Sequence, residues 1–207
     1  MSKIGDQYTS IERLAKLNSQ DQHGMGYMPL YASLFEPIRF DILNILEIGF
    51  SRGRGCRTLA EYFHRSNIHS WELFYDEAIP YYEQLPATLQ ERITIHRIDQ
   101  SNEAQIQAFL RLKGCDLFHL IIDDGSHNPA HQVKSWTHLW DTIAPGGYYI
   151  IEDMHPSYFK GKHPTVEHFK ALVDKINLNG DIKTGKINTT GIDWIMFPFN
   201  RIVMRKA

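Results

Sequence analysis

The sequence predicts an α/β fold: a mostly parallel seven-stranded sheet, ended by a C-terminal antiparallel hairpin and preceded by N-terminal helices. Three observations carry that reading. Between residues 42 and 176, short apolar runs alternate with stretches of helical periodicity, the pattern of βα units around a parallel sheet. Acidic residues recur where the runs end. Near the C terminus two further apolar runs lie too close in sequence for a crossover connection, so they must pair antiparallel.

Taken in order, Ile11, Leu14, Ala15 and Leu17 have helical spacing, and after a break at Gly24 and Gly26 a second amphipathic stretch carries Leu30, Tyr31, Leu34 and Phe35 up to Pro37. Ile42 to Gly49 is the first strand, followed by a glycine-rich turn (Gly49, Gly53, Gly55) and a helix over Cys56 to His64. The second strand runs from Ile68 to Leu73 and the third from Arg92 to Asp99. A helix is expected over Glu103 to Leu112 with Ser101 as its N-cap. Leu117 to Ile122 is the fourth strand, and Pro129 to Trp140 a helix with proline in its first turn. Gly147 to Glu152 is the fifth strand, and His163 to Ile176 a further helix. The hairpin pairs Ile192–Phe197 with Arg201–Arg205 across Pro198, Phe199 and Asn200.

Composition sets the broad class. The 207 residues are 43% hydrophobic and 22% charged, ordinary for a globular protein. A net charge of -2 gives no support for a nucleic-acid surface or a polybasic membrane surface. No apolar stretch approaches the roughly 20 residues of a membrane span, and Met1 to Ser10 lacks the apolar centre of a signal peptide. The two cysteines, Cys56 and Cys115, form no disulfide framework or zinc spacing, so reduced thiols in the cytoplasm are expected. One domain is expected over 1–207, with 1–40 as an N-terminal helical lid and 41–207 as the core.

Chemistry-bearing residues cluster at strand ends. Ligands of an open parallel sheet bind at the carboxyl ends of its strands. Leu120-Ile121-Ile122-Asp123-Asp124-Gly125-Ser126-His127 and Tyr148-Tyr149-Ile150-Ile151-Glu152-Asp153 are neighbouring strands of that kind. They would bring Asp124, Glu152 and Asp153 together with His127 close by. Three carboxylates suit a hard divalent cation such as Mg2+, or Mn2+, and a histidine beside it suits a general base near neutral pH. Blander readings stand beside these: His127 capping the helix from Pro129, and Glu152-Asp153 as a solvated strand exit. Glu47-x-Gly49-x-x-x-Gly53 is a turn where a backbone can approach a ligand, although by itself it is a generic strand-to-helix turn. It lacks the Gly-Lys-Ser/Thr of a phosphate loop and the close glycine spacing of a dinucleotide fold. Glu72 could accept ribose hydroxyls and Asp99 the amino group of an adenine, and alone each is equally a solvated strand-end carboxylate. His155, Ser157 and Tyr158 follow the acids, either as acceptor-pocket residues or as a polar loop.

The outline of βα units closed by an antiparallel hairpin resembles the Rossmann-like sheet of class I S-adenosylmethionine-dependent methyltransferases. Asp123-Asp124-Gly125-Ser126-His127, Pro145-Gly146-Gly147 and Ile151-Glu152-Asp153 resemble the metal-dependent sugar O-methyltransferases of macrolide biosynthesis, of the mycinamicin and macrocin type. Rhamnosyl O-methyltransferases and the cephalosporin hydroxylase family share parts of the pattern. Arg97-Ile98-Asp99-Gln100-Ser101 is similar to the family's Gly-Asp-Gln-Ser segment, with Arg97 in place of glycine. Asp21-Gln22-His23-Gly24 with Tyr27 is similar to an N-terminal Thr-Asp-Lys…His…Tyr motif, with Gln22 in place of lysine. Glu72 stands where aspartate is commoner.

The resemblance implies a metal held by Asp124, Glu152 and Asp153, and His127 as catalytic base. It implies S-adenosylmethionine held by Glu47, Gly49, Gly53, Glu72, Asp99, Gln100 and Asp123. The acceptor it implies is a small molecule with vicinal hydroxyls on a sugar or glycosylated natural product; no nucleic acid or membrane partner is expected, and homo-oligomerisation is left open. The rivals are a catechol- or phenol-directed O-methyltransferase, a non-catalytic accessory protein on the same fold, a metal-independent methyltransferase, a hydroxylation role, and a nicotinamide oxidoreductase, the last disfavoured by the hairpin.

Overall fold

The computed structural model describes residues 9–20, 24–114, 116–158, 164–178 and 190–207. The expected Asp21-Gln22-His23 motif and Cys115 lie outside them. Seven strands form a sheet of order β3-β2-β1-β4-β5-β7-β6: β1 (Asn44–Ile48), β2 (Asn67–Glu72), β3 (Ile93–Arg97), β4 (Phe118–Asp123), β5 (Ile143–Ile151), β6 (Ile192–Met196) and β7 (Ile202–Lys206). The chain divides into two compact units, Met1–Arg97 and Ile98–Ala207.

In the first unit β1 pairs parallel with β2, and β2 with β3. Ile45, Leu46, Ile48, Ile68 and Trp71 are buried there. Helices α1 (Ile11–Leu17) and α2 (Met28–Phe35) turn Ile11, Leu14, Ala15, Met28, Tyr31 and Phe35 inward. They meet α3 (Arg54–Tyr62) through polar links as well: Asn18 donates to Thr58 Oγ1 (3.1 Å) and Glu61 Oε2 (2.9 Å), and the Tyr62 hydroxyl donates to Glu36 (2.6 Å). Arg92 closes the C-terminal end of α3, donating to the carbonyls of Ala60, Phe63 and Ser66. That satisfies acceptors which the end of a helix otherwise leaves orphaned.

Two helices of this unit, α4 (Tyr75–Glu83) and α5 (Ala87–Gln90), had no counterpart in the sequence reading. Pro80 sits inside α4, at its sixth of nine positions, where it removes one i→i−4 hydrogen bond, that to the Asp76 carbonyl.

In the second unit β4 pairs parallel with β5, while β7 pairs antiparallel with both β5 and β6. The helices are α6 (Glu103–Lys113), α7 (Pro129–Leu139) and α8 (Pro164–Leu178). The N-cap of α6 is Asn102, not Ser101: its side chain accepts from Gln105 N, while Ser101 N donates to Asp99. The N-cap of α7 is Asn128, whose Oδ1 accepts from Ala130 N at 2.9 Å, so His127 does not cap that helix.

Strand β5 begins four residues earlier than expected, because Pro145-Gly146-Gly147 is an irregularity within the strand rather than its boundary. A Cβ on Gly147 would lie 2.8 Å from the His119 carbonyl oxygen, which makes glycine a packing requirement at that point. Trp136 and Trp140 lie 5.9 Å apart with tilted rings, and Trp136 meets Phe169 edge-on at 5.2 Å, so Trp136 packs α7 against α8.

Candidate active site

The turn after β4 and the turn after β5 form the site in the second unit. Both turns put a non-glycine residue in the left-handed region, His127 at φ +53° and Asp153 at φ +53°. Such conformations cost about 1–3 kcal/mol each and concentrate at functional sites. Among the described residues, Asp124, His127 and Asp153 offer ligand atoms that all lie within 4.8 Å of one another. His127 Nε2 is 3.8 Å from Asp153 Oδ2. Glu152 is not in that group: it is 1% exposed, and its backbone carbonyl accepts from Gln132 Nε2 at 3.0 Å. The structure thus converges two of the three expected metal ligands, with the expected base in the third place.

Burial is the main cause of a His127 pKa below the usual imidazole value; His155 adds to the lowering and Asp153 opposes it. The ring is therefore neutral at pH 7, with a nitrogen lone pair available. Its Nδ1 is buried without a hydrogen-bond partner among the described residues, and Nε2 is the nitrogen nearer the carboxylate.

Gln100 supports this turn from below. Its Nε2 donates to both oxygens of Asp123 (3.1 and 3.3 Å) and to Ser135 Oγ (3.0 Å), while its Oε1 accepts from Ser126 N at 2.6 Å. Asp123 is fully buried, and burial pushes its carboxyl up to about 7; Gln100, the Gly125 amide and Tyr149 pull the other way. Gln100 and Asp123, expected at the cofactor, are thus engaged with each other inside the unit. Asp99 lies at the adjacent turn, half-buried, and the Ser101 hydroxyl and amide hold its carboxyl below the usual range.

The expected cofactor residues of the first unit form a second cluster. Gly49 (φ +101°), Ser51 (φ +50°) and Gly53 (φ +71°) give the turn after β1 a left-handed path. Glu72 organises it: Oε2 accepts from Phe50 N (3.0 Å) and Ser51 N (2.7 Å), and Oε1 from Phe74 N (2.8 Å). A carboxylate has about four acceptor sites, so these bonds leave Glu72 some capacity toward a ligand. Glu47 is buried beneath α3, and a Cβ on Gly55 would overlap its carboxylate. Cys56 lies beside Glu47, and burial first, then that carboxylate, push its thiol well above the usual value, so it is no nucleophile. Of the residues after Asp153, His155 and Tyr158 are exposed and Ser157 is buried.

Sequence reasoning missed Asn200. It lies 47 positions from Asp153, yet its side chain donates to Asp153 Oδ1 at 2.9 Å. The only local signal is an asparagine in a tight turn, a residue that tolerates the left-handed φ of +57° found there.

The donor set fits a divalent cation. Ligands of one octahedral ion lie about 3–4 Å apart, so small side-chain rotations suffice. The two carboxylates suit Mg2+ or Mn2+, and the imidazole beside them is a donor more usual for softer ions. Without a cation, the paired carboxylates repel each other.

Comparison with known proteins finds relatives in sequence and in fold. A rhamnosyl tetracenomycin-C 2'-O-methyltransferase of Streptomyces olivaceus is 26% identical over 191 residues, covering 84% of this chain and 47% of that protein. The mycinamicin VI 2''-O-methyltransferase of Micromonospora griseorubida is 30% identical over 142 residues, covering 65% of this chain and 33% of that protein. The chain thus spans a third to a half of the length of these relatives. The crystal structure of MycE methyltransferase from the mycinamycin pathway, in complex with Mg, SAH and mycinamycin VI, matches with a TM-score of 0.79 at 22% identity, over 96% of this chain and 54% of that one. That likeness establishes the class I methyltransferase fold. A family model described as a methyltransferase domain matches residues 46–154, more than half of the sequence, and the chain belongs to that family.

Proposed function

We propose that this protein is an S-adenosylmethionine-dependent, divalent-metal-assisted O-methyltransferase acting on a hydroxyl of a sugar or glycosylated natural product. The observation that carries the reading is the convergence of Asp124, His127 and Asp153 on the turns after β4 and β5. The relatives named above, which are sugar-directed O-methyltransferases, support the acceptor class. The same proposal takes the chain as one cytoplasmic domain with 1–40 as its lid. No helix among the described residues is long and apolar enough to cross a membrane.

When bound, S-adenosylmethionine supplies an electrophilic methyl group, and the cation supplies positive charge that lowers the pKa of the acceptor hydroxyl. The residues do the rest. Asp124 and Asp153 would hold the cation and so place its charge beside the acceptor hydroxyls. Positioning of this kind is worth on the order of 7–11 kcal/mol when the geometry is good. His127, neutral at pH 7, takes the hydroxyl proton on Nε2, a contribution of about 10²–10⁴-fold. Glu72, the Gly49–Gly53 turn and Asp99 would hold S-adenosylmethionine in this reading. Glu47, Gln100 and Asp123 complete that set. Glu152 remains the third metal ligand of this proposal.

A second assignment of His127, as third ligand in place of Glu152, is favoured by its inclusion within the 4.8 Å group. Incubation with methyl-labelled S-adenosylmethionine and a panel of glycosides and catechols, with and without EDTA, tests the main reading. Transfer to a glycoside that stops with EDTA and returns with Mg2+ or Mn2+ is expected. Transfer that is indifferent to EDTA would remove the metal from the mechanism, and transfer confined to catechols would replace the acceptor class.

A further inference from the structure

The tip of the β6–β7 hairpin bonds directly to the metal-site turn. Strands β5 and β7 pair Ile151 with Ile202 antiparallel. Extending that register by two residues sets Asp153 opposite Asn200. Asn200 grips the turn with three hydrogen bonds. Its Nδ2 donates to Asp153 Oδ1 (2.9 Å), its Oδ1 accepts from His155 N (2.7 Å), and its backbone carbonyl accepts from Met154 N (3.1 Å). The bond to Oδ1 fixes the rotation of the Asp153 carboxylate and turns Oδ2 toward His127.

We infer that Asn200 is a positioning residue for the divalent cation: the hairpin tip presets the Asp153 carboxylate so that one oxygen faces Asp124 and His127 before any ion arrives. The inference rests on the metal reading of this site. It adds a contact that the sequence places far away, and it gives the C-terminal hairpin a function beyond closing the sheet. Outer groups that orient a ligating carboxylate are typically worth about 10–100-fold in metal affinity.

Asn200→Gly is the cleanest cut. Glycine adopts φ +57° without strain and keeps the backbone bond to Met154, so only the side chain is removed. The experiment titrates Mn2+ into wild type, Asp124→Asn and Asn200→Gly, reading the free ion by electron paramagnetic resonance, with a thermal melt of each protein. Expected are binding by wild type, loss in Asp124→Asn, and about 10–100-fold weaker binding in Asn200→Gly at a melting temperature within a few degrees of wild type. Wild-type affinity in Asn200→Gly, with binding abolished in Asp124→Asn, overturns the positioning role and leaves the metal site standing. Absence of binding by wild type overturns the metal reading and this inference with it. Should the glycine variant fail to fold, the wild-type protein carries the test. Saturating Mg2+ should shift the side-chain amide signals of Asn200 in a 15N spectrum, and unmoved signals overturn the inference.

Discussion

Replacing Gln100 with methionine keeps the length of the side chain and removes a four-way polar junction. The amide of Gln100 donates to the buried carboxylate of Asp123 and to Ser135, and accepts from the Ser126 backbone amide. The hydrogen bond to a charged group is worth about 1.5–3 kcal/mol and each of the other two about 1 kcal/mol, for a loss of about 4 kcal/mol. The cost should depend on pH. Burial raises the folded-state carboxyl of Asp123 to about 7, above an unfolded value near 4. A raised carboxyl contributes stability that is fully present below the unfolded pKa and is lost as pH rises through the folded one. Gln100 holds that folded value down. Without it the loss continues past pH 7, so Gln100→Met is more destabilising at pH 8.5 than at pH 5.5. Urea unfolding followed by far-ultraviolet circular dichroism at the two pH values measures this. A variant within about 1 kcal/mol of wild type at pH 8.5, or an equal cost at both pH values, refutes the reasoning.

Gly55→Ala should destabilise by about 1–3 kcal/mol, because the new Cβ overlaps the buried Glu47 carboxylate. Gly24→Ala, with nothing within 4 Å, is the control, and equal melting temperatures for the two variants would contradict the packing argument. His127→Gly keeps the left-handed backbone and removes the imidazole. Turnover should fall about 10²–10⁴-fold, and retention of wild-type turnover removes His127 as the base.

The α/β layout and the hairpin were legible because apolar runs and their spacing report sheet strands directly. The first and fourth strands start within two residues of the sequence reading. Pairing two tight strands antiparallel needed only the shortness of the loop at Pro198-Phe199-Asn200. Helix α4 had no counterpart in the sequence reading, and Pro80 in its interior is a residue that disfavours a helix there.

At the site, the acids and histidine at the ends of β4 and β5 were visible as a pattern, and the structure brings Asp124, His127 and Asp153 together. Which carboxylate faces inward was not visible. Adjacent residues at a strand exit diverge, and only the left-handed turn at Asp153 separates its direction from that of Glu152. Gln100 read as a motif residue near the cofactor; its hydrogen bond from the Ser126 amide, 26 positions away, was not legible. Asn200 reaches Asp153 through sheet register, a relation that no local spacing encodes.

Calorimetric titration of S-adenosylhomocysteine into the purified protein, with and without Mg2+, tests the central claim most directly. The account predicts saturable one-to-one binding in both conditions, because Glu72, the Gly49–Gly53 turn and Asp99 need no metal to hold the cofactor. Absence of binding in either condition would contradict the methyltransferase assignment at its root, whatever the metal site proves to hold.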